Sequence, residues 1–178
     1  MCPWWLCFTF DNIFRKLVQD PEKILKPYIQ EGSTVLDIGC GMGYFAIALA
    51  RMVGETGQVI ATDIQEQMLS ALQRRAKRAG LEKRILLQLN AQDSLKIDGK
   101  ADFALAFWMI HEVSDRIRFL EQIKSTLRSG ALFLMVEPTL HVNRDMYENT
   151  VRKAQEVGFI LRSNPHIFLS RSTLFSNP

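Results

Sequence analysis

The sequence predicts an α/β fold: a doubly wound, mostly parallel seven-stranded sheet with helices on both faces and an antiparallel hairpin at one edge. Three observations carry this expectation. Short apolar runs alternate with helical patterns along most of the chain. The first run, Val35-Leu36-Asp37-Ile38, passes directly into Gly39-Cys40-Gly41-Met42-Gly43. The last two runs, Phe159–Leu161 and Ile167–Phe175, are separated only by a short break at Pro165, too little chain for a crossover helix.

The elements follow in order. Phe10, Ile13, Phe14, Leu17 and Val18 recur at helical spacing. Asp20 then stands as N-cap with Pro21 in the first turn of a short helix limited by Pro27. A strand over 34–38 leads to a helix over about 44–53 that stops at Gly54. A second strand spans 58–62, and the helix after it carries Met68, Leu69, Leu72 and Ala76 on one face before ending at Gly80. Strands three and four are expected at Ile85–Leu89 and Asp102–Trp108. Ser114 is expected to cap a helix reaching Arg128, with Gly130 closing it. A fifth strand at Ala131–Val136 and a helix near 145–157, ended by Gly158, precede the closing hairpin.

Size and charge narrow the function. A chain of 178 residues reads as a single domain, 1–178, with 1–30 as an amino-terminal helical or lid segment. Lys and Arg number 22 against 19 Asp and Glu, and the resulting +3 is too small to imply a nucleic-acid partner. No apolar run approaches the ~18 residues of a membrane span. The start, Cys2-Pro3-Trp4-Trp5-Leu6-Cys7-Phe8, lacks the basic region and cleavage site of a signal peptide. Three cysteines make no disulfide framework, so the protein reads as cytoplasmic, with a small-molecule substrate, no membrane partner and no metal.

The strand-to-glycine junction at 35–45 reads as a cofactor seat. Glycines at the end of a strand let a ligand reach the bare backbone, and the helix opening at Tyr44 aims its unpaired N–H groups at the same place. Gly41-Met42-Gly43-Tyr44-Phe45-Ala46 also fits the dinucleotide pattern G-x-G-x-x-G/A. Asp37 argues against a dinucleotide, because a carboxylate before the glycines repels a diphosphate. It suits a ligand carrying an ammonium and a sulfonium, S-adenosyl-L-methionine. Asp63, at the end of the second apolar run, can grip two ribose hydroxyls and serves either cofactor.

With Asp37-x-Gly39-x-Gly41 after one strand and Asp63 after the next, the chain resembles the class I S-adenosylmethionine-dependent methyltransferases over about residues 20–165. It is most similar to their small-molecule members of quinone-biosynthesis type. The resemblance implies a Rossmann-like methyltransferase fold and a cofactor pocket formed by Asp37, Gly39, Cys40, Gly41, Asp63 and Ile64. It also brings the loop Asn90-Ala91-Gln92-Asp93 to the adenine and Phe107 to the methionine arm. The family often has an acid followed by a small residue in the adenine loop; here either Asn90 or Asp93 can be the polar partner.

Methyl transfer from a sulfonium is an in-line displacement that positioning alone can accelerate. An acceptor hydroxyl would still need a base. His111, just past the fourth strand, is the candidate catalytic residue, with hydrogen bonding to its own loop as the alternative. Glu112 and the Glu137-Pro138 turn face the same end by topology, whereas His141 and His166 read as surface or hairpin residues. Trp4, Trp5, Phe8, Phe10, Tyr44, Phe107 and Trp108 are candidates for contact with the sulfonium, or simply core. Asp11, Asn12 and Arg15 would add polar contacts to an amino-terminal lid. Cys2 and Cys7, with Cys40, suggest a thiol site for a soft metalloid, a minority reading because the spacing suits no zinc site. The basic run Arg74, Arg75, Lys77, Arg78, Lys83 and Arg84 reads as a solvated helix face. Two other functions stay open: a nicotinamide-dependent oxidoreductase, which would lack a Tyr-x-x-x-Lys pair, and a non-catalytic S-adenosylmethionine-binding module.

Overall fold

Asp20 accepts a hydrogen bond at Oδ1 from the Glu22 N–H at 3.0 Å, and Pro21 opens the first helix, α1 (Pro21–Leu25). The computed structural model describes residues 19–92, 94, 95, 97 and 99–178, so the helix expected over Phe10–Val18 lies outside them. The chain divides into two compact units, one up to residue 90 and one over residues 91–178. Seven strands form a mixed sheet in the order β3-β2-β1-β4-β5-β7-β6.

In the first unit, β1 (Thr34–Ile38) pairs in parallel with β2 (Gln58–Asp63), and β2 pairs in parallel with β3 (Ile85–Leu89). Parallel neighbours need crossovers, supplied by α2 (Tyr44–Met52) and α3 (Glu66–Arg78). Val35, Leu36, Leu49, Val59 and Leu72 are wholly buried. Burial from both faces explains why β1 and β2 read as continuous apolar runs, whereas β3 leaves Leu86 and Leu89 exposed. The face of α3 is as expected, with Met68, Leu69, Leu72 and Ala76 buried.

In the second unit, β4 (Ala101–Phe107) pairs in parallel with β5 (Leu127–Pro138). Their crossover is α4 (Arg116–Thr126). After α5 (Arg144–Glu156) the chain returns as β6 (Ile160–Ser163) and β7 (Ser170–Ser176), with β7 antiparallel to both β5 and β6. The edge hairpin is therefore present. Its core is aromatic: the Phe133 ring lies 5.3 Å from Phe159 and 5.9 Å from Phe175.

Two local expectations in this unit are corrected. Asp115, not Ser114, caps α4, because its Oδ1 accepts from the Arg118 N–H at 3.1 Å, three residues on. The helix also ends at Thr126 rather than Arg128, and Leu127–Gly130 belong to β5. Leu127 pairs with Ala101, and the Asn177 amide donates to the Leu127 and Arg128 carbonyls at 3.0 and 3.1 Å. Carbonyls that would have ended a helix are thus claimed by a residue about fifty positions away.

Candidate functional site

The glycine turn is stitched to the ends of β1 and β2 by backbone bonds. The Cys40 N–H donates to the Thr62 carbonyl at 2.9 Å, and the Gly43 N–H to the Cys40 carbonyl at 3.0 Å. Gly43 is the N-cap of α2 in the left-handed region (φ 87°), where a Cβ would stand 2.2 Å from Leu72 Cδ1. Only glycine fits there. Gly41 is also left-handed (φ 54°), but a Cβ on it would meet nothing within 4 Å. Packing fills the space beside Gly43, whereas the space beside Gly41 is open.

Asp63 clamps this turn from β2. Its Oδ2 accepts from the Gly41 N–H and its Oδ1 from the Gln65 N–H, both at 2.9 Å. Held through both oxygens, the carboxylate has its plane fixed against the turn. The Asp63 carbonyl receives the Asn90 N–H at 3.0 Å, which fixes the start of the loop after β3.

Asp37 is 2% exposed, and its Oδ2 has no hydrogen-bond partner among the described residues. Burial first, then the charge of Asp63, pushes its pKa up to about 7 against a pull downward from the Ala46 N–H. A buried acid in this condition fits a ligand that brings positive charge, as an ammonium or sulfonium does. A diphosphate would instead add negative charge beside two carboxylates. The residues present fit S-adenosylmethionine. Cys40 is buried, its thiol pushed well up by burial and by the same two acids, which describes an inert sulfur. Ile64 is exposed, and the Tyr44 hydroxyl donates to the Gln19 carbonyl at 3.0 Å.

In the second unit, His111 sits on a single 3₁₀ turn, Ile110–Glu112, that follows β4 and is anchored by the wholly buried Ile110. Its Nδ1 lies 2.5 Å from Glu137 Oε2, and its backbone N–H donates to Glu137 Oε1 at 3.2 Å. Glu137, near the end of β5, is 2% exposed. The Arg116 guanidinium donates to the carbonyls of Ile110 and His111 at 3.4 and 3.2 Å. The His141 ring stacks on that of His111, centroids 6.5 Å apart and planes 12° apart. Even so, the His111 side chain keeps 22% of its surface exposed.

Phe107 is buried at the end of β4, 5.5 Å from the Trp108 ring, whose indole N–H donates to Ser170 Oγ at 2.9 Å. Trp108, expected to close the strand, instead turns out of it at φ 60°. Ala91, Gln92 and Glu112 are exposed. Asp93, Cys2, Cys7 and the aromatics at 4, 5, 8 and 10 lie outside the described residues, as do the expected polar contacts of Asp11, Asn12 and Arg15. Among the described residues, no three His, Cys, Asp or Glu side chains form a group that could hold a metal ion, and no helix is long and apolar enough to cross a membrane. In the basic run, Arg74, Lys77 and Arg78 are exposed, while Arg75 donates to the Met42 carbonyl at 3.0 Å.

Sequence reasoning set the two acids and the glycines on one loop system, as the geometry has them. It placed Glu137 only by topology and took His141 as a surface residue. His141 is exposed, but its stacking on His111 depends on how the turn after β5 folds, which no local pattern carries.

Comparison with known proteins identifies the family. Residues 29–166 match a family model described as a methyltransferase domain. The chain is 30% identical to the demethylmenaquinone methyltransferase of Oceanobacillus iheyensis over 122 residues, 67% of this chain and 51% of that protein. It is 29% identical to the demethylmenaquinone methyltransferase of Geobacillus kaustophilus over 138 residues, 75% of this chain and 59% of that protein. The chain thus spans between half and three fifths of the length of these relatives. The crystal structure of a SAM-dependent methyltransferase from Aquifex aeolicus is similar with a TM-score of 0.90 and 25% identity, covering 100% of both chains.

Proposed function

From the premise that this chain belongs to the class I S-adenosylmethionine-dependent methyltransferases, we propose that it methylates a small molecule and that His111 is the base that takes the acceptor's proton. The nicotinamide alternative falls with the family assignment. What supports a base is that His111 combines a fixed ring with a partly exposed side chain, 22% accessible, on the turn that follows β4.

When bound, S-adenosylmethionine supplies a methyl group on a sulfonium, and its transfer leaves a neutral thioether. On this reading the turn through Gly39, Cys40 and Gly41 receives the cofactor, with Asp37 answering its positive charge. Asp63 takes the ribose hydroxyls, and Ile64 and Asn90 flank the adenosine. Ala91 and Gln92 are assigned to the adenine, and Phe107 to the methionine arm, on the family resemblance. Nothing further is required of the protein for a nucleophile that is already anionic, since alignment supplies most of the rate. A neutral hydroxyl is different: its proton must leave as the oxygen or the conjugated carbon attacks. A base within reach contributes about 100- to 10,000-fold there.

The relatives named for demethylmenaquinone support a small aromatic acceptor over a nucleic acid. A labelled-methyl screen over phenols, quinols, amines, thiols and RNA transcripts tests this. Turnover of a hydroxyarene, lost about 100-fold or more in His111→Ala with cofactor affinity unchanged, is the expected result. Methylation confined to RNA would overturn the small-molecule reading. Full activity in His111→Ala on the preferred acceptor would return the histidine to a scaffold role.

A further inference from the structure

The mechanism above leaves one group unexplained. A carboxylate, Glu137, is buried to 2% exposure at the end of a core strand. It faces one ring nitrogen of a histidine and spends both oxygens on that one residue. Burying a charge is costly unless the site gives it partners, so a carboxylate in this position is paid for by the bonds it makes. A glutamine could accept from only one of the two donors. Anchoring the turn needs no charge at all, since Ile110 packs into the core and Arg116 already ties two carbonyls of the same turn.

We propose that Glu137 is a positioning residue that selects the tautomer of His111, holding the ring proton on Nδ1 so that a bare Nε2 is offered to the acceptor's hydroxyl. The inference rests on the base role given to His111 above. Oε1 already accepts from the His111 backbone N–H, which places the carboxylate plane against the turn, and Oε2 then lies 2.5 Å from Nδ1. An ionised carboxylate can only accept, so the hydrogen between these atoms belongs to Nδ1. A neutral imidazole with a proton on Nδ1 has its lone pair on Nε2, the nitrogen farther from the backbone. An imidazole in water favours the opposite tautomer, which has no lone pair at that position. The His141 ring lies nearly parallel to that of His111, centroids 6.5 Å apart. Arg116 ties two carbonyls of the turn to the start of α4.

The proton balance is simple. The acceptor O–H bond breaks, its proton goes to Nε2, and its electron pair is left to form the new bond to the methyl carbon. The ring becomes an imidazolium, with its second N–H still directed at Glu137, whose negative charge stabilises it. After turnover the Nε2 proton returns to solvent. Such an arrangement favours acceptors that carry a hydroxyl over those, such as thiolates, that arrive without a proton to lose.

The test is acceptor-independent. Nitrogen-15 spectra of the full chain, with the three histidines assigned by single His→Gln substitutions, report which ring nitrogen carries hydrogen. Wild type is expected to show Nδ1–H with bare Nε2 for His111 at a pH where the ring is neutral. Glu137→Gln, which keeps size and one acceptor, is expected to shift the majority to Nε2–H or to a mixture, with S-adenosylmethionine affinity and melting cooperativity retained. Glu137→Leu, which removes both acceptors, is the second variant and is expected to shift it fully. A His111 tautomer unchanged in both variants overturns the proposal, as does wild type already carrying its proton on Nε2. These outcomes are separate from those of the base assignment. A tautomer that follows Glu137, together with full turnover in His111→Ala, would sink the base reading and leave the tautomer control standing.

Discussion

Two turns follow strands of this sheet, and they are built by opposite means. The turn after β1 is a backbone site: left-handed glycines, N–H groups and one clamping carboxylate from the adjacent strand. The turn after β4 is a side-chain site, in which a histidine, a glutamate 26 residues away, an arginine and a second histidine converge. The difference teaches why the first is recognisable at a glance and the second is not. A backbone site dictates residue types at consecutive positions, whereas a side-chain site dictates only that certain groups exist somewhere on neighbouring strands.

The sharpest way to break the comparison is to add a side chain to the backbone site. Gly43→Val would put a Cβ 2.2 Å from Leu72 Cδ1 at φ 87°, and the variant should lose its cooperative melting transition or fail to fold. Gly41→Val is the informative contrast. Open space beside Gly41 leaves only the strain of φ 54°, so the protein should still fold, yet its cofactor affinity should fall about 100-fold or more. Calorimetry that finds normal binding in a folded Gly41→Val protein would show that the cofactor does not approach this turn.

Next in size is Asp63→Ala. It removes the acceptor of two backbone N–H groups and the proposed ribose contact, with charged hydrogen bonds worth about 1.5–3 kcal/mol each before water compensates. Affinity for S-adenosylmethionine should drop about 10- to 100-fold, and the melting temperature should drop as well. A loss of stability with affinity intact would make Asp63 a strut for the turn and nothing more.

A smaller, pH-dependent effect belongs to Asp37, whose pKa is raised to about 7 by burial and by Asp63. The sign follows from linkage. An acid raised in the folded state binds more protons there than in the unfolded chain, so folding stability falls as pH rises from about 4 through about 7. Cofactor affinity should move the other way, because a cationic ligand favours the ionised carboxylate, and it should climb as pH passes through about 7. In Asp37→Asn both slopes should flatten, with stability gained above neutral pH. Denaturation and binding measured across this range check both, and a binding curve with unchanged slope in the variant would remove Asp37 from the cofactor site.

The smallest effect lies away from both turns. The buried Tyr147 hydroxyl lies 2.7 Å from Thr173 Oγ1 in the hairpin unit. Tyr147→Phe should cost about 1 kcal/mol in urea denaturation and leave methyl transfer unchanged.

Most of the alternation of strands and helices was legible, because apolar periodicity and glycine stops are local. Where reading failed, a distant residue intervened. Leu127–Gly130 looked like the tail of a helix, but Asn177 takes the carbonyls of Leu127 and Arg128 and holds them in β5. Ser114 and Asp115 are both good caps, and only the observed start of α4 shows that Asp115 reaches the Arg118 N–H. Of the candidate site, Asp37, the glycines and Asp63 could be read because they sit at the ends of two recognisable strands. The pairing of His111 with Glu137 could not, because both residues also occur in ordinary turns.

What the amino-acid order determined by itself was the alternating layout, the glycine turn and the two acids near the ends of the strands beside it. Each of these is a demand that neighbouring residues place on one another. The tertiary structure decided how deeply Asp37 is buried, which oxygen of Asp63 meets which amide, and that Glu137 ends beside His111 rather than in solvent. Those outcomes depend on strand adjacency and packing, where residues far apart in sequence share one small volume and its low polarity.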